Sequence, residues 1–209
     1  MNPIAVIDFE TTGLSPAQGD RATEIAVVVL EGTQVVGRFQ SLMNAGVRIS
    51  PFIEAYTGIS NEMIRAAPPA AEVMDEAARF VGDMPLVAHN ASFDQRFWAA
   101  ELARLGRPSR PGPSMACTLL LSRRLYPEAG SFRLGSLAEY HAIAPAGRAH
   151  RAMADAEVAA GLLSRIRCDI RERYQVDEAP HELLLKLQRS PRKALPKAIQ
   201  GYFESLRAQ

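Results

Sequence analysis

Asp8 and Glu10 stand two residues apart at the end of a short apolar run, Pro3-Ile4-Ala5-Val6-Ile7. The two-residue period of a strand puts both carboxylates on one face. Like charges held side by side on an otherwise apolar strand are costly unless a cation neutralises them, so divalent-metal binding is the simplest chemistry for the pair. A D-x-E pair also fits a solvated strand end, and the spacing alone does not separate the two. A second group, His89-Asn90-Ala91-Ser92-Phe93-Asp94, reads as a strand leading into a helix with Asp94 in its first turn. Ligands gather at such strand ends in α/β sheets. The plain alternative has Ser92 capping the helix and Asp94 answering its positive end. A third group is His150-Arg151-Ala152-Met153-Ala154-Asp155. Five residues is not a same-face helical spacing, which places His150 on a loop and Asp155 in the first turns of a helix. A surface or capping histidine would look the same.

The elements that must carry these groups follow from periodicity. Residues 3–8 suit a buried central strand. Residues 22–30 and 34–43 are β-branched and apolar, and Glu31-Gly32-Thr33 between them suits a hairpin, so the sheet starts antiparallel. Ser60 and Pro69 can open helices, and Val73, Ala77, Phe80 and Val81 recur at helical spacing up to Gly82. A strand over 86–89 precedes a helix over 92–105 that carries Phe93, Phe97 and Leu105. The proline-rich stretch 107–113 is a loop, and 114–117 a short edge strand. Helices follow over 119–125 and 134–140, then a break at Pro145-Ala146-Gly147. The last long helix bears one stripe, Ala152, Ala156, Ala159, Leu163, Ile166 and Ile170, whose small members allow close approach to a sheet. Residues 182–189 and 196–206 form two more amphipathic pieces, split by Ser190-Pro191.

With 209 residues, 47% hydrophobic and 22% charged, the chain suits one globular domain and is too polar in texture for a membrane span. Its first residues enter a strand at once, which leaves no signal peptide and implies a cytoplasmic protein. Cys117 and Cys168 form no CxxC pair, and we expect two buried, reduced thiols. The net charge of +1 hides an asymmetry: residues 1–100 hold 6 basic and 12 acidic side chains, and residues 101–209 hold 18 and 11. The halves therefore stand at 6 − 12 = −6 and 18 − 11 = +7, which suits an acidic metal centre facing a basic, phosphate-binding surface as well as it suits a solvated helix face.

Taken together, Ile7-Asp8-Phe9-Glu10-Thr11-Thr12-Gly13-Leu14, His89 to Asp94 and His150 to Ala156 resemble, in order and spacing, the DEDD exonucleases of the histidine subclass, which include polymerase proofreading subunits and ribonuclease T. Thr57-Gly58-Ile59-Ser60, Cys117-Thr118-Leu119 through Tyr126-Pro127, and Leu134-Gly135-Ser136-Leu137-Ala138 add to the likeness, which runs over about residues 3–170. The resemblance implies an α/β, ribonuclease-H-like fold: a mixed five-stranded sheet, its first three strands antiparallel, flanked by helices. It divides the chain into an exonuclease domain over 1–175 and a helical tail over 176–209 packed on that domain. It makes Asp8, Glu10, Asp94 and Asp155 the metal-binding carboxylates and His150 the general base. Thr11, Thr12, Leu14, His89, Asn90 and Phe93 are implied around the terminal nucleotide. Two Mg²⁺ or Mn²⁺ ions about 4 Å apart would serve the attacking and leaving oxygens of a displacement at phosphorus. The implied reaction is 3′→5′ removal of 5′-mononucleotides from a nucleic acid with a free 3′ end, with DNA favoured over RNA. A DNA polymerase or a second copy of the chain is a candidate protein partner, a free-standing repair or processing nuclease fits the short tail equally well, and no membrane is involved. A catalytically silent accessory module is the rival, opposed by five competent residue types at the five positions. In the tail, Leu183, Leu184, Leu187 and Phe203 suit docking on the domain, which needs no second chain, or a dimer interface, while Arg189, Arg192, Lys193 and Lys197 suit either a phosphate backbone or solvent.

Overall fold

The computed structural model describes residues 2–106, 115–145 and 147–207. The proline-rich segment 107–113, Ser114 and Ala146 lie outside the described residues. Among these residues, β1 (Ile4–Thr11), β2 (Ala22–Glu31), β3 (Gln34–Leu42), β4 (Leu86–Ala88) and β5 (Ala116–Cys117) form one sheet in the order β3-β2-β1-β4-β5. β1 and β3 both run antiparallel to β2, whereas β4 is parallel to β1, and β5 to β4. Only Gly32-Thr33 separates β2 from β3, and Gly32 takes φ +63°, the left-handed conformation that a two-residue hairpin needs. β1 is thus the central strand and the point at which strand direction switches.

The helices are α1 (Pro51–Thr57), α2 (Asn61–Ala66), α3 (Ala70–Val81), α4 (Ser92–Arg104), α5 (Thr118–Leu125), α6 (Leu134–Tyr140), α7 (Ala152–Tyr174), α8 (His181–Arg189) and α9 (Leu195–Arg207). α1 is not foreseen by periodicity, because seven residues are too few to show it. Its punctuation is nevertheless in the sequence: the Ser50 hydroxyl accepts the Ile53 N–H at 3.3 Å, Pro51 begins the helix, and Gly58 ends it in the left-handed region. At α4 the residue before the helix is Ala91 and no side chain caps it, so Ser92 does not play the capping role its position suggested.

Side-chain parity along β1 decides the architecture. Ile4 and Val6 enter a core built with α5, α7, α8 and α9, while Ala5, Ile7 and Phe9 enter a second core with α3 and α4. Both faces of β1 are covered, which is why its apolar run is continuous rather than alternating. Asp8 and Glu10 share the parity of Ile4 and Val6 and therefore face the α7 layer. The stripe on α7 is buried as expected, with Ala152, Ala156, Ala159, Leu163, Ile166 and Ile170 all in the first core.

Leu183, Leu184 and Leu187 of α8 are buried in that same core beside Leu195 and Ile199 of α9, and Phe203 packs partly buried against them. From α8 the Gln188 side chain reaches β5: its carbonyl accepts the Cys117 N–H at 2.6 Å and its amide donates to the Met115 carbonyl at 3.2 Å. Both cysteines are free thiols; Cys117 is buried as expected, whereas Cys168 is half-buried because it sits beside the apolar stripe of α7 rather than on it. Among the described residues no helix is long and apolar enough to cross a membrane. Replacing a fully enclosed leucine removes transfer energy and leaves a cavity, so Leu184→Ala should lower unfolding free energy by about 2–5 kcal/mol in urea denaturation. A change within about 0.5 kcal/mol, typical of surface positions, would show that α8 is not part of the cooperative core.

Candidate active site

The C-terminal end of β1 is approached from both layers. From the α7 side, Asp8, Glu10 and Asp155 each offer a carboxylate oxygen, and these oxygens lie within 4.8 Å of one another. Asp155 stands in the first turn of α7 and accepts the His150 backbone N–H at 3.0 Å. The fourth expected carboxylate, Asp94, enters from α4 on the other side and is only 2% exposed; its Oδ1 accepts the Phe9 backbone N–H at 3.2 Å. The structure thus gathers three carboxylates into one cluster and ties Asp94 to the β1 backbone at Phe9, where its charge acts on Asp8. A register shift just past Glu10 pairs Thr11 with Ala22 after Glu10 has paired with Glu24, the kind of bulge that re-aims side chains beside a site.

Crowding and burial govern the ionisation of this group. Burial, then the charges of Asp94, Glu10, Asp155 and Glu24, raise the Asp8 carboxyl well above the usual range. Glu10 is pushed up to about 8, first by burial and then by Asp155 and Glu24, against the opposing pull of Arg151. Burial also raises Asp94, against the N–H bonds it receives, and raises Asp155, against the His150 amide and ring charge. A set of buried hard oxygen donors whose carboxyls are all raised by burial and mutual repulsion fits a divalent cation that takes oxygen ligands, which would supply the missing positive charge.

His150 sits just before α7 with φ +62°, and its imidazole stacks on Tyr56 of α1 with ring centroids 3.9 Å apart. Tyr56 stacks in turn on Phe52 at 5.8 Å, and Arg148 donates to the Ala55 carbonyl at 3.4 Å, so the loop bearing His150 rests on α1. Burial and the charges of Glu10 and Asp155 raise the Tyr56 phenol. Sequence reasoning did not find Tyr56, although Phe52 and Tyr56 stand four apart between Ser50-Pro51 and Gly58.

The expected nucleotide-facing residues divide into two kinds. Leu14 is 78% exposed, Asn90 is exposed with φ +64°, and Phe93 is partly exposed against Phe97, with ring centroids 4.9 Å apart. The other three are engaged within the protein. The Thr11 hydroxyl donates to the Gly13 carbonyl at 2.6 Å; that of Thr12 donates to Asp20 at 3.2 Å and accepts the Arg21 N–H at 3.0 Å. Asp20 also takes the Ser15 N–H at 2.9 Å, and any Cβ at position 13 would overlap its carboxylate, which explains the glycine. His89 uses both ring nitrogens, on the Thr118 hydroxyl at 2.9 Å and the Phe132 carbonyl at 3.0 Å, and burial lowers its pKa to about 4. It is a neutral brace between β4 and the loop before α6.

A family model described as an exonuclease, RNase_T, matches residues 5–163. The chain belongs to that family. Within it, residues of the chain are 39% identical over 153 positions to a 3′-5′ exonuclease DinG of Bacillus subtilis and 36% identical over 168 positions to a PolC-type DNA polymerase III of the same organism. These alignments take in 73% and 80% of this chain but only 16% and 12% of those two longer proteins. Among solved structures, exonuclease X in complex with 5′ overhanging duplex DNA superposes with TM-score 0.67 at 26% identity, covering 88% of this chain and 99% of that one. Escherichia coli exonuclease I in complex with a dT13 oligonucleotide shares the fold, with TM-score 0.71 at 20% identity over 84% of this chain and 43% of that one. The RNase_T family fold here is the expected mixed five-stranded sheet flanked by helices.

Because the folded pKa of Glu10 lies above its unfolded value, folding binds its proton more tightly. That contribution to stability is complete below pH 4.5 and is lost as pH rises through about 8. The melting temperature of the metal-free protein should therefore fall across this interval, and Mn²⁺ should raise it more at the top of the interval than at the bottom. Calorimetry with and without the cation checks this; an equal Mn²⁺ effect at both ends would contradict it.

Proposed function

We propose that the chain is a two-metal-ion-dependent 3′→5′ exonuclease that removes 5′-mononucleotides from the 3′ end of DNA. The observation that carries this reading is the carboxylate trio of Asp8, Glu10 and Asp155 at the end of β1, with the His150 loop folded against it. Asp8, Glu10, Asp155 and Asp94 would hold the cations. Divalent cations held there would supply positive charge to acidify an attacking water and to stabilise the departing 3′-oxygen. His150 takes the proton from that water, a task for which an imidazole is suited near neutral pH.

Leu14 and Phe93 offer apolar surface to the terminal sugar and base, and Asn90 offers an exposed amide. Thr11 and Thr12 act through the turn they fix, and His89 by bracing the 132 loop rather than by donating to the nucleotide. DNA is favoured because the DNA polymerase III relatives and the DNA-bound structural neighbours point to it. The same likeness to a PolC-type polymerase supports a polymerase as partner.

With Mn²⁺, the purified protein should shorten a 3′-accessible DNA strand, spare a 3′-blocked one, and work more slowly on RNA of equal sequence. Chelation should stop the reaction, and Asp8→Ala should leave no measurable turnover. Loss of a general base lowers rates by about 10²- to 10⁴-fold, the fall expected of His150→Ala with Mn²⁺ affinity retained. Gel analysis of the products decides: full activity in His150→Ala removes the base assignment, and faster hydrolysis of RNA removes the DNA assignment.

A further inference from the structure

Glu24 interrupts the apolar run of β2, and though only 1% exposed it carries four hydrogen bonds on its two oxygens. Oε1 accepts from Arg151 Nη2 at 2.8 Å and from Gln40 Nε2 at 2.8 Å. Oε2 accepts from Arg151 Nε at 3.1 Å and from the Ala152 backbone N–H at 3.1 Å. A buried carboxylate is tolerable only when paired and fully hydrogen-bonded, and the planar guanidinium fork is the donor best matched to it.

The placement of those bonds gives the cluster its meaning. Glu24 stands directly opposite Glu10 in the β1–β2 register, yet three of its four bonds come from the start of α7 and the fourth from Gln40 of β3. Arg151 is the N-cap of α7 and makes no capping bond with its own side chain. The amide of Ala152, the first helical residue, is one of the groups that a helix leaves without an internal partner, and Glu24 satisfies it from across the sheet. Residues 151 and 152 are thus pinned to β2 at a single carboxylate. Immediately before that point lies His150, left-handed and stacked on Tyr56; three residues beyond it lies Asp155, which receives the His150 N–H.

The geometry assigns Glu24 as a positioning residue that, through Arg151 and the Ala152 amide, holds His150 and Asp155 in register with the end of β1. This rests on the roles of His150 and Asp155 proposed above. Were the ion pair there for stability alone, its loss would lower the melting temperature and leave turnover and the His150 environment as they are. A clamp acts on both.

Glu24→Gln keeps the shape of the side chain but sets an NH₂ where one of the two acceptor oxygens was. Outer-shell partners of a metal site typically change activity by about 10- to 100-fold, and a fall of that size is expected in kcat on a 3′-ended DNA oligonucleotide. KM should stay within about threefold, because no contact to the strand is removed. The second readout needs no turnover: the His150 ring protons, identified among the four histidines by His150→Gln, carry an NMR ring-current shift from Tyr56 that should shrink in Glu24→Gln. Arg151, with a side chain 30% exposed, provides the companion pair: Arg151→Lys should restore part of the kcat that Arg151→Ala loses, and this pair decides the matter if Glu24→Gln does not fold. Unchanged kcat and unchanged His150 resonances in a folded Glu24→Gln, or equal activity of Arg151→Ala and the wild type, would overturn the assignment. If the wild type cleaves no strand while its His150 resonances still shift on substitution of Glu24, the exonuclease reading fails and the clamp stands.

Discussion

Mutual repulsion among buried carboxylates is the constraint around which the chain is arranged. Asp8, Glu10 and Asp155 bring their oxygens within 4.8 Å, with Asp94 tied to the β1 backbone at Phe9 and Glu24 alongside. Left to itself such a group opposes the compact state, and the rest of the structure restrains it from several directions. The Phe9 and His150 amides each turn one N–H onto a carboxylate, and Arg151 lends a positive charge through its pairing with Glu24. What remains is an excess of negative potential at one place on an otherwise ordinary α/β domain, where a divalent cation would compete with protons for the same oxygens.

The route by which distant residues reach that place is simple. A central strand covered on both sides must send alternate side chains into two cores, and the first and last helices of the cage lie on opposite sides of it. Asp8 and Glu10 inherit their direction from Ile4 and Val6, and α7 can come close because its stripe begins with alanines. Asp94 arrives from the other layer, past the end of β4. Changing the parity of β1 by one residue would turn both acids away from Asp155 into the apolar α3–α4 core, so register and chemistry are a single requirement.

Most of this was legible before any coordinates. The apolar run ending in Asp8 and Glu10, the stripe on α7 and the amphipathic face of Leu183, Leu184 and Leu187 follow from periods of two and of about 3.6 residues, and the hairpin from the short glycine-bearing gap at Gly32. The grouping of the acids was legible only through the resemblance, since no local pattern relates residues 8, 94 and 155. Some features escaped for identifiable reasons. α1 is too short to show a period, and Tyr56 therefore had no element to stand on. Glu24 was visible as one acid within Ala22–Glu31, but its partner Arg151 lies 127 residues away, and nothing short-range predicts that pairing. His89, Thr11 and Thr12 occupied the expected neighbourhood, yet their polar atoms proved to be engaged within the protein, which sequence position does not reveal.

The bond pair between Gln188 and β5 reaches beyond the local packing of α8. β5 is the last strand of the sheet, and an open strand border exposes unpaired amides and carbonyls onto which a foreign strand can add. A primary amide reproduces the donor and acceptor of one peptide unit, so Gln188 pairs with Met115 and Cys117 as a neighbouring strand would while offering no continuation of its own. The helical tail thereby occupies backbone groups of that border through which another strand could add.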